Sequence, residues 1–251
     1  MKTITVTNQK GGVGKTTTAL MLSEGLSRKG HRVLAIDSDP QGNLSYTARV
    51  ESSKSALYSL FTGELETGKA ISKSALGFDC ITGGKELSRV ELEFNETGRE
   101  YLLREILDPI KEEYDYCIID TPPTLSLLTV NALTASDSVI IPMSTDAYSL
   151  QGLDALITLI GRVRKYSNPS LEIDGILLIK YNSRSIMARQ IKDQLGDIAR
   201  GYGTRLYDST IREAVAIREA QFLKKGIFSD NAKSNVKTDC NNFINEVLKG
   251  E

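Results

Sequence analysis

The chain has 251 residues, of which 40% are hydrophobic and 25% charged, so it is long enough for one well-buried α/β domain of ordinary globular composition. Its three cysteines are far apart and lack Cys-x-x-Cys spacing, which excludes a disulfide framework and a zinc or iron–sulfur site and indicates a reducing compartment. The net charge of −1 is uneven: residues 1–150 carry 15 basic and 20 acidic side chains and residues 151–251 carry 16 and 12, which indicates either an anionic partner or an ordinary solvated face in the carboxyl-terminal region.

The first predicted elements are a strand, a glycine-rich loop and a helix. The strand covers Thr3–Thr7, the loop and the first helical turn cover Asn8–Thr18, and the helical run continues over Ala19–Ser27. This context is typical of a phosphate-binding loop, whose glycines let backbone N–H groups turn inward at a helix N-terminus. Lys15 would reach the β- and γ-phosphates, and the Thr16 hydroxyl would bind Mg²⁺. The predicted nucleotide-binding residues of this loop are Gly11, Gly12, Val13, Gly14, Lys15, Thr16 and Thr17.

A second buried strand is predicted over Arg32–Asp37, and it is followed by two carboxylates. Asp37 and Asp39 lie at the carboxyl end of the strand, where α/β sheets bind ligands. Two acids two residues apart on an extended segment point the same way, so both are predicted to approach Mg²⁺ or an attacking water.

The stretch from 53 to 112 carries no recognisable chemistry. We predict short helices over Ala56–Phe61 and Leu65–Ser72, a strand over Phe78–Thr82, and a charged, helical, solvated segment over Glu86–Lys111.

Another apolar strand, Tyr114–Asp120, ends in an acid. A carboxylate at this position is suited to receive the water shell of Mg²⁺ beside Thr16, so Asp120 is the third predicted metal-site residue. A helix over Ser126–Ala135 and a buried strand over Ser138–Pro142 follow.

The remaining elements continue the alternation of helices and strands. They are a helix over Leu150–Tyr166, a strand over Ile173–Ile179, a helix over Ser185–Arg200 and a final helix over Asn235–Leu248. Such alternation predicts a doubly wound, mostly parallel sheet with helices on both faces, like that of P-loop NTPases. Without a repeat or linker, residues 1–251 are expected to form a single domain.

The loop departs from the usual phosphate-loop spacing, because Gln9 stands where a glycine is expected and Lys10 supplies a second lysine. It resembles the deviant Walker A motif of the ParA/MinD family of ATPases. The resemblance implies an ATP-bound sandwich dimer in which Lys10 reaches the nucleotide of the partner subunit. It also implies that Asp39 positions or activates the hydrolytic water and that Asp37 lies near the water shell of the metal.

Within that family the chain looks most like the short ParA/Soj proteins, and the resemblance weakens after about residue 180. It implies a weak ATPase whose ATP-bound homodimer binds double-stranded DNA without sequence preference and is released when a ParB-type partner stimulates hydrolysis. No helix-turn-helix precedes the first strand, so specific operator binding is not expected.

Arg184 falls at the position of a DNA-binding arginine of these proteins. In Ile211–Ala220 the family's proline is missing and Ala216 replaces its usual arginine, which leaves the adenine contact open. The predicted substitutes for that arginine are Arg212, Arg218, Lys224 and Lys225.

The runner-up is a membrane-associated, MinD-like positioning ATPase, which would need a basic amphipathic helix at the end of the chain. The segment Thr238–Glu251 is weakly basic at best, which disfavours that reading. A cargo-positioning or regulatory ATPase with another adaptor stays open. Since the chain begins on its first strand and no run approaches the roughly 18–20 apolar residues of a membrane span, we expect a cytoplasmic, nucleoid-associated protein without membrane contact.

Overall fold

The computed structural model describes residues 1–50, 54–145, 152–228 and 235–250. These residues contain one eight-stranded sheet. Its strands are β1 (Lys2–Val6), β2 (Val33–Asp37), β3 (Ile71–Lys73), β4 (Asp79–Ile81), β5 (Tyr116–Asp120), β6 (Ser138–Ser144), β7 (Glu172–Tyr181) and β8 (Leu206–Arg212).

The strand order is β3-β4-β2-β5-β1-β6-β7-β8, with β1 in the interior between β5 and β6. All neighbouring pairs are parallel except β3 with β4, which is an antiparallel edge. Because the parallel strands share one direction, β1, β2, β5, β6 and β7 end at the same edge of the sheet, where open α/β sheets bind ligands. The predicted fold, doubly wound and mostly parallel, is confirmed.

Helices cover both faces of this sheet. In the described part of the chain they are α1 (Lys15–Arg28), α2 (Asn43–Thr47), α3 (Ala56–Phe61), α4 (Thr67–Ala70), α5 (Val90–Glu93), α6 (Leu102–Leu107), α7 (Leu127–Thr134), α8 (Leu153–Tyr166), α9 (Ile186–Gly201), α10 (Val215–Phe222) and α11 (Asn235–Lys249). Helices α1 and α11 pack on one face, whereas α3, α6, α7, α8 and α9 pack on the other.

The alternation of side chains along each strand explains why both faces are apolar. In β2, Ala35 joins the core beneath α1, and Leu34 and Ile36 join the core on the opposite face. Every residue of β2 and β5 is buried, as expected of interior strands in a parallel sheet.

The final helix, α11, is part of the core. Its Val236, Cys240, Phe243, Ile244 and Val247 are buried. Phe243 meets Tyr207 of β8 edge to face at a centroid distance of 4.9 Å. The apolar side of α11 is thus used inside the fold, which further disfavours the MinD-like expectation of a membrane-binding helix in this segment. In the described ranges we find no helix long and apolar enough to cross a bilayer.

Two predicted regions differ from the structure. The predicted helix Leu65–Ser72 is wrong in its second half, because only Thr67–Ala70 is helical and Ile71–Lys73 forms β3. The predicted solvated helix Glu86–Lys111 breaks into short helical segments that include α5 and α6. Its apolar side chains are buried in the core, and they are Leu87, Val90, Leu103, Leu107 and Ile110.

The carboxyl-terminal third also contains two elements that the sequence pattern did not indicate. These are β8, whose Asp208 and Ser209 interrupt the apolar pattern, and α10, in which no residue is buried. Residues 150 and 151 of the predicted helix Leu150–Tyr166 lie outside the described residues.

Candidate nucleotide site

The glycine-rich loop connects β1 to α1 and is anchored to the neighbouring strand β6. The Asn8 side-chain amide donates to the Pro142 carbonyl at 2.8 Å, and the Asn8 side-chain oxygen accepts from the Lys10 backbone N–H at 3.0 Å. Asn8 therefore fixes the start of the loop at the carboxyl edge of the sheet.

Two glycines give the loop its shape. Gly12 and Gly14 adopt φ angles of 73° and 84°, in the left-handed region that residues with side chains rarely enter. A Cβ on Gly14 would lie 1.9 Å from the Ile179 Cδ1 atom of β7, so the loop also passes too close to the strand for any side chain at that position. The backbone thus favours glycine at both positions, and packing against the Ile179 side chain adds to this requirement at Gly14 alone.

Lys15 is the first residue of α1, and its side chain turns back into the loop. Its ammonium donates to the Lys10 carbonyl at 3.1 Å. Burial lowers the pKa of Lys15, whereas the carboxylates of Asp120 and Asp39 raise it. An ammonium held by one backbone carbonyl in a buried site can exchange that carbonyl for phosphate oxygens, and the role of Lys15 at the phosphates stays a prediction.

Asp120, at the end of β5, is the strongest indication of a cation. The residue is fully buried, and no group of the described residues completes a hydrogen bond of normal geometry to either carboxylate oxygen. Burial and the neighbouring Asp37 raise the pKa of Asp120 well above its ordinary value, while the Thr16 hydroxyl and Lys15 lower it.

A buried carboxylate without partners is costly, and a divalent cation between Asp120 and Thr16 would satisfy it. The described residues contain no cluster of three or more His, Cys, Asp or Glu side chains suited to a metal. Asp120 and Thr16 are nevertheless a suitable pair of ligands for Mg²⁺, which uses one or two protein ligands together with water and phosphate oxygens.

Asp37 and Asp39 have different environments, although Asp37 ends β2 and Asp39 lies only two residues beyond it. Asp37 is fully buried and accepts hydrogen bonds from the Ser45 N–H at 2.8 Å, the Ser45 hydroxyl at 2.7 Å and the Asp39 N–H at 3.2 Å. Burial is the main cause that raises the pKa of Asp37 to about 6. Its place near the water shell of the metal stays a prediction, and its visible role is to fix the turn that carries Asp39.

Asp39 lines the cavity in front of the loop. One of its carboxylate oxygens accepts from the Gln41 N–H at 2.9 Å, which orients the side chain within the turn. Of the two acids, Asp39 is therefore the one that a bound ligand or a water in this cavity could reach.

The cavity has a volume of about 600 Å³ and extends from the loop along α1. Its walls also come from residues 39–47, from the end of β7 and from residues 211–222. Among the predicted nucleotide-binding residues, Gly11, Gly12, Gly14, Lys15, Thr16 and Thr17 line it. Lys10 and Val13 lie outside this lining, and the Val13 side chain is buried in the protein, so only its backbone could face a phosphate.

The carboxyl-terminal segment closes one side of the cavity through contacts that the sequence did not indicate. The Gln221 side chain donates to the Thr17 hydroxyl at 2.9 Å, and the Lys180 ammonium donates to the Gly12 carbonyl at 2.8 Å. The ring of Tyr46 lies 3.9 Å below the Lys224 ammonium, an attractive cation–π arrangement. No local sequence pattern predicts these contacts, because the partner residues are distant in sequence.

The five predicted DNA-binding residues have different environments in the structure. Arg184 is exposed in the turn between β7 and α9, and Lys225 is exposed after α10. Arg212 binds the Asp239 carboxylate through two side-chain contacts of 2.6 and 2.8 Å, and Arg218 lines the cavity. Since the charge of Arg212 is paired and Lys224 covers Tyr46, Arg184 and Lys225 are the better placed for an external polyanion.

Comparison with known proteins gives three kinds of match. A family profile described as an AAA domain matches residues 1–173. The chromosome partitioning protein ParA of Caulobacter vibrioides is 40% identical over 233 residues, which are 90% of this chain and 86% of the relative. The sporulation initiation inhibitor protein Soj of Bacillus subtilis is 37% identical over 223 residues, 87% of each chain.

A solved structure also has this fold: cobyrinic acid a,c-diamide synthase from Mycobacterium smegmatis with bound ADP and magnesium. The two structures superpose with a TM-score of 0.85 at 29% sequence identity. The match covers 99% of this chain and 94% of the synthase chain. Its named activity differs from that of the partitioning relatives, so the fold alone does not select the function. The sequence matches, which extend over both halves of the chain, confirm the resemblance to the ParA/Soj proteins.

Proposed function

The chain belongs to the ParA/Soj family of chromosome-partitioning ATPases, and we propose that it binds ATP with Mg²⁺ and hydrolyses it slowly in a cycle that controls DNA binding. The observation that carries the nucleotide part is the buried Asp120 carboxylate, which completes no hydrogen bond of normal geometry and lies beside Thr16 and Lys15. A bound Mg²⁺ would neutralise charge on the β- and γ-phosphates. Thr16 and Asp120 would hold its ligand sphere, and Lys15 would leave the Lys10 carbonyl for the phosphates.

Hydrolysis requires a water in line with the γ-phosphate, and Asp39 is an acid that lines the cavity in front of the loop. The hydrogen bonds from Ser45 to Asp37, and from the Asp39 N–H to Asp37, hold this turn in place. Asp39 would orient the water or accept its proton. A single acid on this turn is consistent with slow turnover that a partner protein can accelerate.

The functional unit is a homodimer that forms with ATP bound. Lys10 is half-buried at the start of the loop and does not belong to the cavity lining of its own subunit. This position supports a role at the nucleotide of the partner subunit. Two facing phosphate loops would then share their nucleotides, and dimerisation would depend on ATP.

The DNA-binding part of the proposal depends on Arg184. The turn that carries it is compact: the Asn182 side-chain oxygen accepts from the Arg184 N–H at 3.1 Å, and the Ser185 hydroxyl caps α9 by accepting from the Ala188 N–H at 3.3 Å. Arg189 is exposed next to this turn and donates to the Ser183 carbonyl at 3.1 Å. Exposed arginines on an ordered turn suit phosphate contacts without base readout.

In this proposal the ATP-bound dimer lies on nucleoid DNA, and a ParB-type partner bound to a centromere site stimulates hydrolysis and release. The test is binding of the full-length protein to random duplex DNA with ATP, with ADP and without nucleotide, over a salt series. We expect binding with ATP alone, with the logarithm of affinity falling by about 0.9 per phosphate neutralised for each unit of log salt.

Arg184→Ala should weaken this binding and reduce the salt slope by about one phosphate. Arg200→Ala is the matched control, because it removes an exposed arginine from the far end of α9, where Arg200 pairs with Asp197. If the protein binds DNA in none of the three nucleotide states but still forms ATP-dependent dimers, the DNA-binding part of the proposal is refuted. The function would then lie with a protein or membrane cargo.

A further inference from the structure

The end of β7 contacts the phosphate loop at two adjacent residues. Ile179 lies beneath Gly14, so close that a Cβ at Gly14 would meet its Cδ1 atom at 1.9 Å. Lys180, the next residue, extends its side chain along the loop, and its ammonium donates to the Gly12 carbonyl at 2.8 Å. Both residues line the nucleotide cavity.

The backbone at Lys180 is unusual. Its φ angle is 53°, in the left-handed region that non-glycine residues rarely adopt, and the register between β7 and β8 is irregular between Ile179 and Tyr181. Such a conformation persists only where the surroundings favour it. The hydrogen bond from Lys180 to Gly12 is one contact that does so.

A phosphate loop works only if its N–H groups point inward and its carbonyls point outward. Gly12, with a φ of 73°, is conformationally permissive, so the peptide group that carries its carbonyl is free to rotate unless something holds it. The Lys180 ammonium forms a charge-assisted hydrogen bond with this carbonyl at 2.8 Å.

Lys15 holds a different carbonyl of the loop, that of Lys10. It must release this carbonyl when it moves to the phosphates of a bound nucleotide. Lys180 has no such conflict, because phosphates bind the N–H groups of such a loop and not its carbonyls.

We propose that Lys180 is a positioning residue of the nucleotide site, which holds the Gly12 carbonyl outward and thereby keeps the loop in its phosphate-binding form. This inference rests on the ATP-binding part of the proposed function. The occupant is a nucleoside di- or triphosphate, because the loop residues that Lys180 orders are those that would surround the inner phosphates.

The experiment titrates the full-length protein with a fluorescent ATP analogue. The affinities for ATP and ADP are then measured by competition with this analogue. Lys180→Met removes the donor, Lys180→Gly removes it and suits the positive φ angle, and Lys180→Arg keeps a cationic donor. Lys192→Met is the matched control, since Lys192 is the neighbouring cation on α9 and its ammonium lies 5.7 Å from the centre of the Tyr181 ring rather than on the loop.

We expect Lys180→Met and Lys180→Gly to weaken the binding of ATP and of ADP by the same factor. This factor should be about fivefold to tenfold, which corresponds to the loss of one solvent-accessible charged hydrogen bond. Lys180→Arg should restore most of the affinity, and Lys192→Met should bind like the wild type. Lys180→Gly should melt no lower than the wild type, because glycine adopts this backbone conformation without strain, so a loss of affinity in this variant is not a folding defect.

Unchanged affinity in Lys180→Met and Lys180→Gly would overturn the inference. So would a loss confined to ATP with ADP unaffected, because the ammonium would then act on the γ-phosphate itself rather than on the loop. If the wild-type protein itself fails to bind ATP, the proposed function fails, which is a different result from a wild type that binds and variants that bind equally well.

Discussion

Replacing Asp120 by asparagine should make the protein more stable without nucleotide and abolish its response to Mg²⁺ and ATP. Asp120 and Asp37 are register partners on neighbouring parallel strands, which lie about 4.8 Å apart. Two full carboxylate charges separated by a similar distance would repel each other by roughly 3 kcal/mol at an effective dielectric constant of 20. Asp120→Asn removes this repulsion, but it also removes the attraction to Lys15 and adds amide hydrogens without an assigned acceptor.

The net gain in the free energy of unfolding should therefore be about 1–2 kcal/mol, or roughly 2–8 °C in melting temperature for a chain of this length. The sign depends on pH. Because burial raises the pKa of Asp120 in the folded state, the folded protein keeps this proton to a higher pH than the unfolded chain does. Wild-type stability is then lost as pH rises through that interval, and the advantage of Asp120→Asn should be larger at pH 8 than at pH 5.

The assay is a thermal melt of both proteins at pH 5 and pH 8, with EDTA and with ATP plus Mg²⁺. Saturating ligand at 100 times its Kd should stabilise the wild type by about 2.7 kcal/mol, and this shift should vanish in the variant. Asp108→Asn, at an exposed carboxylate far from the loop, is the control and should behave like the wild type. A variant that melts lower than the wild type at pH 8, or one that keeps the shift induced by Mg²⁺ and ATP, would refute the reasoning.

Three further substitutions test single residues. Asp39→Ala should bind ATP normally, slow hydrolysis about 100-fold and accumulate the ATP-bound dimer in size-exclusion runs, whereas normal phosphate release would remove Asp39 from the reaction. Lys10→Ala should bind ATP as a monomer; dimers that form and turn over at the wild-type rate would contradict its role at the partner's nucleotide. Glu24→Gln should flatten the fall in melting temperature as pH rises above 4.5, because burial raises the pKa of Glu24. A pH profile parallel to that of the wild type would contradict this.

The parts of the protein that local sequence specifies were predicted with nearly correct boundaries. The apolar runs of β2 and β5 and the helix Ala56–Phe61 agree with the structure within a few residues. Continuous burial makes interior parallel strands uniformly apolar, so their pattern needs no knowledge of their neighbours. Strand β8 and helix α10 lack this signal: β8 is interrupted by polar residues, and α10 buries no side chain.

The family resemblance was also available from sequence, because its motifs are short and contiguous. The loop around Lys15, the acids after β2 and the acid ending β5 each carry their chemistry within a few residues. Parallel strands then bring their carboxyl ends to one edge of the sheet, so the predicted parallel sheet already places Thr16, Asp39 and Asp120 at the same edge.

Only the tertiary structure showed which of these groups are already satisfied and which are available. The oxygens of Asp37 accept bonds from Ser45 and Asp39, while those of Asp120 lack partners in the described residues. Gln221 meets Thr17 across 204 residues and Lys180 meets Gly12 across 168. Motifs determine the chemistry that a loop can perform, since that chemistry is local, but hydrogen-bond partners follow from strand register and packing, which join residues that no sequence pattern places side by side.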